Sequence, residues 1–226
     1  MFFMESPMGL LLAVLSLAIA MIAQASVKNA YNKYSKVKTQ RGLTGAEAAR
    51  MIVERTGVTV VRHNGGELSD HFDPRTNTIA LSPAVYDGSS VAALGIAAHE
   101  AGHALQHEQG YFPIVLRNGI LPLAQIGTMA AFPLIIAGMF FTAMEFLIDL
   151  GILFFIFALV FQVITLPVEF NASRRAVSLL DGNYLTPDES RGARVVLRAA
   201  AMTYVAAVAA SILQLIRLLM LANRRN

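Results

Sequence analysis

Residues 97–110 read AAHEAGHALQHEQG and hold three of the five histidines in the chain. His99 and His103 stand four positions apart, with Glu100 directly after the first. On an α-helix that spacing sets two side chains on one face, one turn apart. Two imidazoles so placed can share one Zn²⁺, at ~2.0–2.1 Å each. Glu100 then reaches a water at the metal as general base, and can return the proton to a leaving amine. The same letters also occur on the solvent face of ordinary helices. Three features favour the metal. Ser89 or Ser90 caps a predicted helix that runs through VAALGIAAHEAGHALQHE and stops at Gly110. Ala and Gly surround the histidines, so other elements can approach closely. Candidates for a third ligand exist as well.

His107 is the nearest of those candidates. It lies eight residues past His99, about 12 Å of helical rise, so one continuous helix cannot bring both to one ion. Glu169 opens EFNASRRAVSLL after a long apolar run, and Asp181 lies in LLDG at 179–182. An aspartate in such a motif is the third ligand of site-2-type intramembrane proteases. Here, however, the surrounding SRRAVSLLDGN is short and charged, which favours Glu169.

Composition sets the setting. Of 226 residues 55% are apolar and 15% charged, well below the ~25% charged of soluble domains. There is no cysteine, so disulfides and thiolate sites are excluded and a metal must use His, Asp or Glu. The net charge of +3 and pI near 9.4 do not indicate a nucleic-acid surface, because the basic residues flank apolar segments instead of clustering on a soluble face. Four such segments reach the ~20 residues that cross a bilayer: 8–25, 120–141, 150–168 and 199–221. Pro122, Gln125, Gly127, Pro133 and Gly138 mark the second as the one expected to break or tilt. AQAS at 23–26 looks like a signal-peptidase site, but Glu5 is the only charge before it; an uncleaved anchor is expected. Lys28, Lys33, Lys36, Lys38 and Arg41 follow it, which assigns the next segment to the cytoplasm. Glu145 and Asp149 fit an outer hairpin, and Arg174, Arg175, Arg191, Arg194 and Arg198 an inner segment. The terminal NRRN, placed outside, runs against the rule.

Between the first two spans lies a polar region. LTGAEAARMIVERTG opens on Thr44 with Glu47 three later, a capping box for a helix to about Thr56. VTVVRH reads as a strand followed by a turn at Gly65-Gly66. DHFDPRTNTIALSP reads as a turn at Asp73-Pro74 and a strand from about Asn77 to Ser82.

The blocks DHFDPRTNTIALSPAVYDG, GIAAHEAGHALQH and PVEFNASRRAV, in that order, resemble the YugP-type neutral zinc metallopeptidases, membrane proteins of bacteria. More distantly the chain is similar to the HtpX and CAAX prenyl protease group. The resemblance implies a gluzincin site, with His99, His103 and Glu169 as zinc ligands and Glu100 as base. That distant group carries Asp in an ExxxD pattern where this chain has Ser173, whose hydroxyl can still orient a ligand. Zinc peptidases hold substrate backbone against a sheet edge, so Thr78, Ile79, Ala80 and Leu81 are the expected substrate strand. His63, His71, Tyr184 and Arg175 are candidates for stabilising the oxyanion.

The expectation is an α+β membrane protein with about four transmembrane helices and a small zincin-like catalytic domain. Residues 1–27 form an anchor, 28–118 a cytoplasmic metallopeptidase domain, 119–168 a transmembrane hairpin, 169–198 a cytoplasmic segment with the third ligand, and 199–226 a last transmembrane helix. It is expected to be a zinc metalloendopeptidase of the bacterial inner membrane, cutting membrane-associated or unfolded polypeptides at the cytoplasmic surface. Its partners are the bilayer and a polypeptide substrate, without nucleic acid. Two other readings remain: a site-2-type protease using Asp181, and a non-catalytic zinc-binding assembly factor, for which Glu100 would have no purpose.

Overall fold

The computed structural model describes residues 7–66 and 69–223. Glu5, ahead of the first span, and Arg224 and Arg225 in the basic tail lie outside the described residues. The chain is mostly helical, with one small sheet. In order come α1 (Pro7–Tyr34), α2 (Gly45–Ile52), β1 (Thr59–Arg62), β2 (His71–Asp73), β3 (Thr78–Leu81), α3 (Pro83–Tyr86) and α4 (Val91–Glu108). Then follow α5 (Phe112–Phe140), α6 (Phe146–Leu180) and α7 (Pro187–Asn223).

Helices α1, α5, α6 and α7 are long and apolar enough to cross a membrane. Each overruns the apolar segment that announced it. Helix α1 continues through VKNAYNKY, where nothing breaks a helix, and α6 runs on past Val168 to Leu180. The left-handed Gly182 (φ +70°) then ends that path. Thr186 and Glu189 box the start of α7, with Pro187 in its first turn. Helix α5 is one uninterrupted helix despite Pro122 and Pro133, so of the expected break or tilt the break does not occur. In an apolar helix neighbouring elements can satisfy the carbonyls a proline frees.

The chain divides into two compact units. The first comprises residues up to 24, 116–166 and 203 onward. Its core joins Ile135, Ile148, Ile152 and Leu218. A Cβ on Gly151 would stand 2.7 Å from the Ala131 carbonyl oxygen, so this glycine sets the close crossing of α5 and α6. Large apolar side chains such as Leu10, Met129 and Phe140 stay exposed, as lipid-facing residues do.

The second unit comprises 25–115 and 167–202. Thr44 and Glu47 form the capping box of α2 as its spacing predicts, although the helix stops at Ile52, short of Thr56. Ser90 caps α4 by accepting from the Ala93 N–H at 3.2 Å. The sheet order is β1-β3-β2, with β3 parallel to β1 and antiparallel to β2. That order corrects the expected substrate strand. Thr78, Ile79, Ala80 and Leu81 form the middle strand, paired on both sides, and Ile79 and Leu81 are wholly buried. A strand with both edges occupied has no backbone groups left for a peptide. The missing neighbour is β2, three residues next to a turn, too short to show alternation in sequence.

Helix α4 runs between two core clusters. Ala97, Ala101 and Ala104 pack with Val60, Ile79, Leu81 and Val85. Leu94 and Ala98 pack with Ala176, Leu180 and Leu197. Burial on nearly all sides explains why its residues are small and its polar positions few. His99 and His103 therefore do not decorate a solvent face, whereas His107, at the end of the helix, is exposed.

Candidate metal centre

The site is built around one close helix contact. A Cβ on Gly102 would come within 2.9 Å of the Ala172 carbonyl oxygen and 3.3 Å of its Cα. Only glycine lets α4 and α6 approach so near. His99 and His103 stand three residues before and one after Gly102; Glu169 and Ser173 stand three before and one after Ala172. On both helices these offsets flank the contact on one face, so the four side chains meet.

His99 Nε2 and His103 Nε2 are 3.2 Å apart. Glu169 Oε2 lies 3.3 Å from the first and 3.6 Å from the second. Zinc bonds of 2.0–2.1 Å at tetrahedral angles separate ligand atoms by about 3.3–3.4 Å. The three edges therefore match one face of a zinc tetrahedron. His103 and Glu169 are buried and His99 nearly so.

The outer ring nitrogens decide which inner ones carry lone pairs. His103 Nδ1 lies 3.0 Å from Gln106 Oε1. Gln106 Nε2 donates to the Val168 carbonyl and to Asn171 Oδ1, both at 2.9 Å. Those two acceptors fix the amide, so its oxygen faces the imidazole and His103 Nδ1 must donate. Its Nε2 is then left as an acceptor aimed at the centre. Ser173 Oγ stands 3.2 Å from His99 Nδ1 and can serve that ring in the same way. Two imidazole lone pairs and a carboxylate converging at these distances are chemically suited to a cation.

Charge follows from the packing. Burial alone would raise the Glu169 carboxyl, but the His103 and His99 imidazoles beside it outweigh that and hold it well below the usual range. For His103 burial disfavours the cation, yet Glu169 and Glu100 prevail and its pKa rises. Burial pushes the Glu100 carboxyl up, against the opposing pull of His99 and His103. Among the described residues Glu100 makes no hydrogen bond, which leaves its carboxylate free for a ligand's proton.

Other candidates lie elsewhere. His107 packs its ring against Phe72, centroids 5.8 Å apart. Asp181 follows the end of α6, bridging Leu185; twelve residues beyond Glu169 is about 18 Å of helical rise. Arg175 is engaged by Asn171 Oδ1 at 2.7 Å and Gln109 Oε1 at 2.6 Å. His63 and His71 sit together, ring centroids 5.6 Å apart, both tied to Ser69. Tyr184 packs on the cluster around Leu180. None of these four oxyanion candidates hydrogen-bonds a member of the centre. Gln106 and Asn171 were missed by sequence reasoning. The i, i+3 spacing of His103 and Gln106 was the available signal, but a glutamine reads as surface until its burial is known.

A family model described as "Putative neutral zinc metallopeptidase" matches residues 9–223. A Bacillus subtilis (strain 168) protein named "Putative membrane protease YugP" is 42% identical over 213 residues, covering 93% of this chain and 94% of its own. No solved structure matches.

Proposed function

Because the chain belongs to the neutral zinc metallopeptidase family, we propose that it is a membrane-bound zinc metalloendopeptidase with its centre at His99, His103 and Glu169. One observation carries the reading. The Nε2, Nε2 and Oε2 atoms form a triangle of 3.2, 3.3 and 3.6 Å with a buried, unpartnered glutamate beside it. Zinc held there supplies Lewis-acid polarisation of the scissile carbonyl and acidifies a water. The rest is done by the chain. Glu100 takes the proton of the attacking water and passes it to the leaving amine, so the nitrogen departs neutral. Gln106 and Ser173 hold the two imidazoles in the orientation and tautomer that ligation needs. Burial keeps bulk water away, so charge–dipole interactions act at low local dielectric.

The substrate strand moves with the corrected sheet. Among the described residues β2 pairs only with β3, and its Phe72 touches His107 on the metal-bearing helix. An extended peptide adding to the outer edge of β2 lies beside α4, and this supports an endopeptidase acting on extended or unfolded chains. The four apolar helices and the basic residues after the first span support a multi-pass protein of the bacterial inner membrane acting on membrane-associated polypeptides at the cytoplasmic face.

The test is zinc per purified chain for wild type, Glu169→Ala and Asp181→Ala, with proteolysis of an unfolded protein by wild type and Glu100→Gln. Glu169→Ala is expected to lose the metal and Asp181→Ala to keep it. Glu100→Gln keeps zinc and loses about 10²–10⁴-fold in rate. Zinc loss confined to Asp181→Ala would move the third ligand and overturn this reading. Undiminished proteolysis by Glu100→Gln would remove the base.

A further inference from the structure

A groove of about 500 Å³ opens between the end of α1 and the start of α7. Its α1 wall is one helical stripe, Ser26, Asn29 and Lys33; its α7 wall is another, Val195, Arg198 and Met202. Small residues make the hollow, with Ala30 and Ala199 at its base. At one end Tyr34 packs so closely on α7 that a Cβ on Gly192 would lie 2.6 Å from its ring. That contact joins the polar ends of the two helices. The stripes therefore run antiparallel, and Ser26 and Met202 share the opposite, apolar end.

Charge in the groove is of one sign. Lys33 and Arg198 both line it and no carboxylate does. Among the described residues neither forms an ion pair; the Lys33 ammonium rests 5.2 Å from the Tyr34 ring centroid. Two unneutralised cations, a hydroxyl and an amide around one hollow recognise a phosphate-like anion. The apolar side adds a second requirement. Val195, Ala199 and Met202 suit hydrocarbon, which a hydrated inorganic ion lacks. Level decides further: Arg198 abuts the apolar stretch 199–221, and Lys33 stands two helical turns past 8–25. Headgroups meet membrane helices at that level, and basic pockets between such helices hold anionic lipids.

We propose that this groove binds the phosphodiester headgroup of an anionic phospholipid, with its acyl chains leaving along Ala199 and Met202. The inference needs α1 and α7 to cross the membrane and is independent of the metal centre. Bound lipid would tie the anchor helix to α7 at the edge of the second unit.

The test is native mass spectrometry of the full chain in detergent, titrated with phosphatidylglycerol or phosphatidylcholine. Wild type is expected to retain phosphatidylglycerol in preference. Losing both cations in Lys33→Gln/Arg198→Gln should weaken it about thirtyfold, about fivefold for each charge. Lys36→Gln/Arg194→Gln removes equal charge outside the groove and should change binding less than twofold. Ala199→Leu fills the base with both cations in place and should also weaken it. Should the groove double variant melt early, Lys33→Gln alone, with its fivefold loss, takes its place. Equal losses in both double variants would mean diffuse surface attraction and overturn the proposal. So would unchanged retention in the groove variants, or displacement of the lipid by millimolar inorganic phosphate, which would make it a free-anion site.

Discussion

Gln106→Leu isolates how much the centre depends on a residue outside the His99–His103–Glu169 triangle. Gln106 is wholly buried and connects His103 Nδ1, the Val168 carbonyl and Asn171 Oδ1. Leucine fills the same space without polar atoms. Asn171 Oδ1 keeps its bond from Arg175, but the imidazole N–H and the Val168 carbonyl are left without that partner. The Val168 carbonyl, inside α6, still accepts its helical N–H, so only the imidazole N–H is left unsatisfied, at a cost of about 1–3 kcal/mol. The imidazole also loses the bond that holds its tautomer, and removal of such a partner lowers metal affinity about 10–100-fold. Gln106→Glu sharpens the test. One carboxylate oxygen serves His103 well, but the other faces two acceptors and repels both. That variant should therefore lose stability while keeping more zinc affinity than leucine does. The assay is zinc affinity by chelator competition on protein in detergent, alongside melting in excess zinc. Affinity within twofold of wild type for Gln106→Leu, with an unchanged melt, would refute the argument that Gln106 orients His103.

Further outcomes follow from the same geometry. Gly102→Ala gains about 1 kcal/mol of helix preference but places a methyl 2.9 Å from backbone oxygen, costing about 1–3 kcal/mol. The melt should fall by less than about 2 kcal/mol while zinc affinity drops as α6 and its Glu169 are pushed away; full affinity would show that the helices can part freely. His107→Ala should leave zinc content unchanged, and a metal-depleted variant would restore His107 as a ligand. Glu189 is buried, which opposes its charge, yet backbone N–H groups of Thr186 and Gln40 prevail and lower its pKa. A depressed carboxyl contributes stability above its unfolded pKa of about 4.3 and loses it as pH falls through the folded value. Glu189→Gln should therefore melt about 1 kcal/mol below wild type at pH 7, and the gap should close on acidification toward pH 3; a gap constant across that range would exclude the cap.

The four apolar helices were legible because crossing a bilayer is a matter of length and composition, both local. His99, Glu100 and His103 were legible for a similar reason, since helical periodicity alone places i and i+4 together. Glu169 was only a candidate, along with Asp181, because no local rule relates positions 70 residues apart. The Gly102–Ala172 contact is what sets Glu169 beside the histidines, and it leaves Asp181 at the far end of α6. The sheet was misread for a related reason: three residues beside a turn carry no detectable period, and without β2 the strand at 78–81 reads as an edge. Gln106 and Asn171 carry no signal in the sequence beyond the spacing of Gln106 from His103, because polarity predicts exposure until packing supplies partners. Composition and spacing thus determined the setting and the helix that carries His99, Glu100 and His103. Tertiary structure decided which distant carboxylate joins them, which strand is at the sheet's edge and that Gln106 is buried, because each of these depends on contacts between segments far apart in the chain.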